Sequence, residues 1–68
     1  MKLKIEIELD NDAFQDEHHG PTAGDEIARV LNVVEGNLEG VKRAKLGKFS
    51  LPLMDMNGNK VGTAKIVA

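Results

Sequence analysis

The chain has 68 residues, with 11 acidic and 9 basic side chains, a formal net charge of −2, and no cysteine. The lack of cysteine excludes a disulfide framework, a cysteine metal site and a thiol nucleophile. No apolar run approaches the roughly 18–20 residues that span a bilayer, and no apolar stretch near the start is typical of a secretory signal. We therefore expect one small domain, residues 1–68, in the cytoplasm, with no membrane association and no cofactor.

The first predicted element is a strand. Charged and apolar residues alternate without interruption from Lys2 to Leu9, so the two kinds of side chain project from opposite faces. This pattern is typical of a strand that is buried on one face and solvated on the other. The face predicted to be buried carries Leu3, Ile5, Ile7 and Leu9.

A short helix is predicted over residues 12–19, with a polar loop as the alternative. Asp12 can cap its amino terminus, Gln15 can complete a capping box, and Gly20 fits the position after its end. Phe14 would anchor this segment to the core. Glu17, His18 and His19 are the only cluster with metal-ligand chemistry, but adjacent helical residues do not share a face. They indicate a solvated helix end, and no metal site is predicted.

The main helix is predicted over residues 23–39, with Thr22 as its cap and Gly40 as its terminator. Its apolar residues recur at helical spacing and form one stripe. Gly36 costs about 1 kcal/mol in a helix interior. It indicates a tolerated irregularity, fraying after Glu35, or the close approach of another chain. The apolar stripe consists of Ile27, Val30, Leu31, Val34 and Leu38.

The last third predicts a β-hairpin. Asn57-Gly58 favours a two-residue type I′ turn, which pairs Met56 with Asn59 and Leu51 with Ala64. Pro52 lacks an amide donor, so its strand should lie at a sheet edge or carry a bulge. The face predicted to meet the helix carries Phe49, Leu51, Leu53, Ala64 and Ile66. The opposite face carries Met54, Met56, Val61, Thr63 and Val67.

These elements predict an α+β fold of the order β-α-β-β. A three-stranded sheet would be covered on one face by one long helix, with a short extra helix before it. The first strand would lie parallel to residues 49–56 or beside the last strand. Ile5, Ile7, Leu31 and Val34 are expected to be buried together.

The surplus apolar face of the hairpin is the main functional signal. Contiguous exposed apolar residues mark interaction surfaces, and a chain this short is marginal without cross-links or oligomerisation. The sequence therefore predicts a homodimer and a non-enzymatic protein-interaction module, since no catalytic constellation surrounds its few hydroxyl residues. A twist or bulge that places some of these residues in the core is the alternative. The candidate interface residues are Met54, Met56, Val61 and Val67.

A basic connector, residues 41–48, supports a second hypothesis. Four positive side chains here could contact phosphates, which would make the protein a small nucleic-acid-binding regulator. The absence of interleaved aromatic residues and the net negative charge argue against it. The candidate contacts are Lys42, Arg43, Lys45 and Lys48.

Three stretches carry a resemblance: IELDNDAF at residues 7–14, EIARVL at 26–31 and LMDMNGNKVG at 53–62. With them the chain resembles small phage- and prophage-associated proteins of unknown function that have a terminal D-x-N-G-N-x-V-G hairpin. The resemblance implies a cytoplasmic accessory protein made in a bacterial host, with a host or phage protein as a further partner. It supplies no catalytic residues.

Overall fold

The computed structural model describes residues 1–15 and 20–68. Within this part of the chain it contains one three-stranded antiparallel sheet, one long helix and a short helix before it, so the predicted fold class is confirmed. A four-residue helix within the basic connector was not predicted. The elements are β1 (Lys2–Ile7), a 3-10 helix (Asp12–Phe14), α1 (Ala23–Leu38), α2 (Arg43–Leu46), β2 (Ser50–Met54) and β3 (Lys60–Val67).

Helix α1 begins and ends as its sequence predicts. The Thr22 hydroxyl accepts a hydrogen bond from the Asp25 amide at 3.1 Å, and the Thr22 amide donates to the Asp25 carboxylate at 3.0 Å. This reciprocal pair is a capping box, which satisfies two amides that the first turn leaves without helical partners. The helix continues through Gly36, so it does not fray after Glu35, and Gly40 follows it with φ of 78°.

The short helix before α1 differs from its prediction. It is a single 3-10 turn, and its cap is Asn11, whose side-chain oxygen accepts from the Ala13 amide at 3.0 Å. The predicted capping box of Asp12 and Gln15 is therefore wrong. Phe14 is buried in the core, as expected. Residues 16–19, which include the Glu17-His18-His19 cluster, lie outside the described residues.

The strand order is β1-β3-β2, with every neighbouring pair antiparallel. This order places β1 beside the last strand, one of the two arrangements that the sequence left open. Pro52 lies on an edge strand, as predicted. The predicted helix-facing side of the hairpin is also confirmed, because Leu53 and Ala64 are buried and Phe49 and Leu51 pack against the core.

The turn of the hairpin is longer than predicted. The Gly58 amide donates to the Asp55 carbonyl at 3.0 Å, and the Asp55 amide donates to the Asn59 carbonyl at 2.8 Å. Gly58 has φ of 83°, whereas no non-glycine residue among 1–15 and 20–68 has positive φ. The connection is thus a type I turn followed by a left-handed glycine, a three-residue loop. The predicted type I′ turn, with Met56 opposite Asn59, is wrong.

A bulge restores the predicted register beyond the loop. Met54 lies opposite Lys60 and Leu53 lies opposite Gly62, so Val61 is the extra residue on β3. The longer loop shifts the pairing by one residue, and the bulge shifts it back. Leu51 therefore lies opposite Ala64, as predicted.

Two alanine substitutions distinguish the two turn types. Gly58→Ala should destabilise the protein by about 1–2 kcal/mol, because a β-carbon disfavours the left-handed conformation. Asn57→Ala should change stability by less than about 0.5 kcal/mol, because Asn57 does not have positive φ and surface substitutions of this kind are usually small. Denaturant unfolding measures both, and an equal loss in the two variants would contradict the three-residue loop.

The core lies between α1 and the β2–β3 half of the sheet. It contains Val30 and Val34 of α1 together with Phe14, Leu53 and Ala64. Because α1 packs against β2 and the 3-10 helix, it leaves much of β1 exposed. The expected burial of Leu3, Ile5, Leu9 and Leu31 is therefore wrong; of the predicted set, Ile7 is half-buried and Val34 is buried.

Candidate functional site

Strand β1 forms one edge of the sheet, and its backbone presents hydrogen-bonding groups to the outside. The Glu8 amide, just past the strand, donates to the Val61 carbonyl of β3 at 2.7 Å. In an antiparallel pair, successive residues direct their amide and carbonyl alternately toward and away from the neighbour. The amides and carbonyls of Leu3, Ile5 and Ile7 therefore point away from β3, toward the open side of the sheet.

Apolar side chains accompany this open edge. Leu3 is 45% exposed and Ile5 is 36% exposed, and both lie on the sheet face that carries α1. Their partners across β3 are Ile66 and Ala64, which continue the same apolar surface toward the core. A shallow groove of about 530 Å³ also lies along β1 and β3, lined largely by residues of the opposite, charged face such as Lys4, Glu6 and Lys65. Among residues 1–15 and 20–68, the edge thus combines backbone groups that have no partner with incompletely covered apolar surface.

The opposite face of β1 carries its charges. The Lys4 ammonium lies 2.7 Å from the Glu6 carboxylate, and both side chains are largely exposed. The hydrogen bond between them raises the pKa of Lys4 and lowers the pKa of Glu6. Exposed pairs of this kind contribute little stability. Lys4 also lies directly opposite Lys65 of β3. Like charges at opposite positions repel each other, so this pair is destabilising.

The other edge of the sheet is protected. The carbonyl of Phe49, just before β2, accepts from the Ile66 amide of β3. By the same alternation, the backbone groups of Pro52 and Met54 point away from β3. Pro52 has no amide to offer there. The Met54 carbonyl accepts from the Arg29 guanidinium at 2.8 Å. Two outward positions of β2 are thus unavailable to another strand, whereas the outward positions of β1 keep their donors.

A buried carboxylate, Glu26, is paired with the exposed Arg29, and sequence reasoning missed this pair. Glu26 is only 1% exposed; its carboxylate accepts from Arg29 Nε at 2.6 Å and from the Met56 amide at 2.8 Å. Together with the bond from Arg29 to Met54, these contacts tie α1 to the hairpin loop. The available signal was the i,i+3 spacing of opposite charges beside a buried stripe, but that spacing is equally common on solvated faces.

The environment of Glu26 favours its charged form. The hydrogen bond from Arg29 lowers the pKa of Glu26 below its ordinary value of 4.5, and it outweighs the opposing effect of burial. The Met56 amide acts in the same direction. The Glu26 carboxylate is held in its ionised form by three donors, which are Arg29 Nε, Arg29 Nη2 at 3.3 Å and the Met56 amide. It is suited to fixing the loop against the helix, and poorly suited to accepting a proton in catalysis.

Acid should remove the contribution of Glu26 to stability. Because its pKa is lower in the folded state, that contribution is present above the ordinary value of 4.5 and is lost as pH falls through the folded pKa. Glu26→Gln should cost about 1.5–3 kcal/mol at neutral pH, and the difference from the unaltered chain should shrink in acid. Denaturant unfolding from pH 7 to pH 3 measures this. Glu35→Gln, at an exposed position of α1, is the control, and parallel pH curves would contradict the assignment.

Asp55 organises the hairpin loop. Its buried carboxylate accepts from the backbone amides of Asn57 and Asn59, each at 2.8 Å, and from the Asn59 side chain at 3.2 Å. Burial acts to raise the pKa of Asp55, but these hydrogen bonds outweigh it and the pKa is lowered. The D-x-N-G-N sequence is thus accounted for by the geometry of the loop itself.

The four predicted interface residues do not form one patch. Met54 and Met56 are exposed near the hairpin loop, but Val61 is buried in the core, so its predicted exposure is wrong. The bulge causes this, since it places Val61 on the same side as the helix. Val67 is half-buried at the far end of β3, opposite Lys2, about 20 Å along the strand from Lys60.

The basic connector folds partly into α2. Its charged side chains are exposed, and Leu46 at the end of α2 is half-buried. Within Arg43–Leu46 no aromatic side chain is interleaved with the basic residues to stack on a base. Nucleic-acid binding by this segment stays a prediction, carried by Lys42, Arg43, Lys45 and Lys48.

Comparison with known proteins finds no matching family model, no matching curated protein and no matching solved structure. The resemblance to phage- and prophage-associated proteins therefore stays a prediction. Within residues 1–15 and 20–68, no helix has the length and apolar character needed to cross a membrane. In the same residues, no group of three or more acidic or histidine side chains is arranged to hold a metal ion.

Proposed function

We propose that the protein is a non-enzymatic interaction module that binds another polypeptide by strand addition at the free edge of β1. The observation that carries this proposal is the outward direction of the Leu3, Ile5 and Ile7 backbone groups, beside apolar side chains that α1 leaves exposed. An open edge of this kind accepts an extended segment, whose backbone supplies affinity and whose alternate side chains supply specificity.

The contrast between the two edges supports the choice of β1. On β2, Pro52 removes one outward donor and Arg29 occupies one outward acceptor. Natural sheets blunt edges in such ways to prevent unwanted pairing. A partner strand would also cover the exposed apolar side chains of Leu3 and Ile5, and burying each square ångström of apolar surface contributes roughly 25 cal/mol.

A library of short random peptides tests this function with defined probes. We expect the enriched peptides to alternate apolar and polar residues, and to slow hydrogen exchange at the Leu3, Ile5 and Ile7 amides. Ile5→Lys should abolish their binding because it places a charge in the apolar row. Val33→Lys, which changes an exposed valine of α1, should leave binding intact. Peptides that bind both variants equally, or that leave these three amides unprotected, would overturn the proposal.

A further inference from the structure

We infer that the occupant of the β1 edge is β1 of a second copy of this chain, antiparallel, with the two-fold axis passing through Ile5. This inference rests on the proposed function and names its partner. The result would be a continuous six-stranded sheet in which each copy contributes three strands. Side-chain parity and backbone direction limit the possible registers, and charge selects this one among them.

Side-chain parity limits the possible registers. Directly opposite residues in an antiparallel pair project from the same sheet face, and a shift by one residue exchanges the two faces. Because β1 alternates charged and apolar residues, an axis between two residues would set every charge against an apolar side chain. The axis must therefore pass through a residue, so that apolar meets apolar and charge meets charge.

Charge selects among the remaining registers. With the axis on Ile5, Lys4 lies opposite Glu6 of the second copy, and Lys2 lies opposite Glu8. An axis on Lys4 would place two lysines opposite each other, and an axis on Glu6 would place two glutamates opposite each other. An axis on Leu3 or on Ile7 would set lysine against lysine or glutamate against glutamate. Among these registers, the one centred on Ile5 brings together opposite charges without any like-charge pair.

Backbone direction is satisfied by the same register. Ile5 meets Ile5 of the second copy, and Leu3 meets Ile7, so the outward amides and carbonyls of both copies face one another as hydrogen-bonded pairs. A second glutamate near Lys4 also offsets its unfavourable position opposite Lys65. The two-fold axis is perpendicular to the sheet, so both α1 helices lie on one face, with the Leu3 and Ile5 side chains between them.

Cysteine cross-linking measures this register directly, because the chain contains no cysteine. Ile5→Cys should form a disulfide-linked dimer on mild oxidation, since its two copies would have Cα atoms about 5.5 Å apart. Leu3→Cys alone should not, because its copies would be separated by about 14 Å along the strands. A mixture of Leu3→Cys and Ile7→Cys should yield the mixed dimer. Val33→Cys, on α1, is the control for random collision.

Exchange of charges gives an independent test in solution. Lys4→Glu should weaken dimerisation by about tenfold or more, because it sets like charges together at two symmetric positions. The double variant Lys4→Glu, Glu6→Lys should restore dimerisation with itself and should not form mixed dimers with the unaltered chain. Lys48→Glu, the same charge change in the basic connector, should leave the dimer unchanged. Sedimentation equilibrium and native mass spectrometry measure these species.

The outcomes separate this inference from the function on which it rests. A monomeric mass from micromolar to near-millimolar concentration overturns the second copy as partner; the peptide library then decides whether the edge still binds other chains. A dimer that resists Lys4→Glu and fails to cross-link at Ile5→Cys uses another surface and also overturns the inference. Cross-linking at Ile5→Cys with selective pairing of the charge variants supports both the partner and the register.

Discussion

Replacing Gly62 by alanine should separate β1 from β3. A β-carbon at this position would lie 1.9 Å from the Glu6 carbonyl oxygen and 3.0 Å from the Ile7 Cα. The obstructing atoms are backbone atoms, so no side chain can rotate away, and the strand itself must move. We expect a loss of about 3 kcal/mol, the upper end of the usual cost of overpacking. Denaturant unfolding measures the loss, and hydrogen exchange at the Lys4 and Glu6 amides locates it in β1.

Gly36→Ala is the matched control for this experiment. Gly36 lies in the interior of α1, and outside its own helical turn a β-carbon there would meet no atom of residues 1–15 and 20–68 within 4 Å. The same substitution should therefore stabilise the protein by about 0.5–1 kcal/mol, because glycine is a poor helix former. The two variants should change stability with opposite signs. Destabilisation by Gly36→Ala would show that this side of α1 is covered by something other than residues 1–15 and 20–68.

Replacing Leu53 by alanine should remove a large part of the stability of the domain. Leu53 is 1% exposed, at the centre of the cluster that joins β2 to α1. Leucine-to-alanine substitutions at such sites cost about 2–5 kcal/mol, because a cavity adds to the lost burial. A domain of this size has few kcal/mol to lose. The midpoint of denaturant unfolding should fall sharply, and some of the chain should be unfolded in buffer.

Leu31→Ala provides the comparison at an exposed leucine. The sequence pattern places Leu31 in the apolar stripe of α1, but the residue is 42% exposed. Its truncation should cost less than about 1 kcal/mol, since little burial is lost. Equal destabilisation by the two variants would mean that Leu31 is covered in solution, and the position of α1 over the sheet would have to be revised.

The candidate binding edge illustrates what could be predicted from particular residues. The alternation of Lys2 to Glu8 indicated a strand with two distinct faces, and the balanced order of its charges was visible in the sequence. The sequence did not reveal that Leu3 and Ile5 remain exposed. Exposure depends on which strand the helix covers, and α1 packs toward β2 because Val30 and Val34 meet Leu53 there. An alternation of apolar and charged residues predicts a strand, but it does not show whether a helix covers the apolar face of that strand.

In the hairpin, too, the local sequence predicted some features and distant contacts decided others. Asn57-Gly58 correctly indicated a turn with a left-handed glycine, because that requirement is local to the backbone. The choice between a two-residue and a three-residue loop depended on the Asp55 carboxylate and on Glu26, which lies 30 residues away and holds the Met56 amide. The bulge places Val61 in the core, although the sequence predicted this residue to lie on the surface.

The sequence by itself determined four features of this protein: the alternating first strand, the capped helix that begins after Thr22, the glycine turn and the helix-facing side of the hairpin. Each follows from interactions between residues close in the chain, such as the capping box of Thr22 and Asp25. The tertiary structure alone decided which edge of the sheet is open, which apolar residues are covered, and that the buried Glu26, paired with Arg29, fixes the loop. These depend on contacts between distant segments, where one helix is too narrow to cover three strands and its position is set by the packing of the whole core.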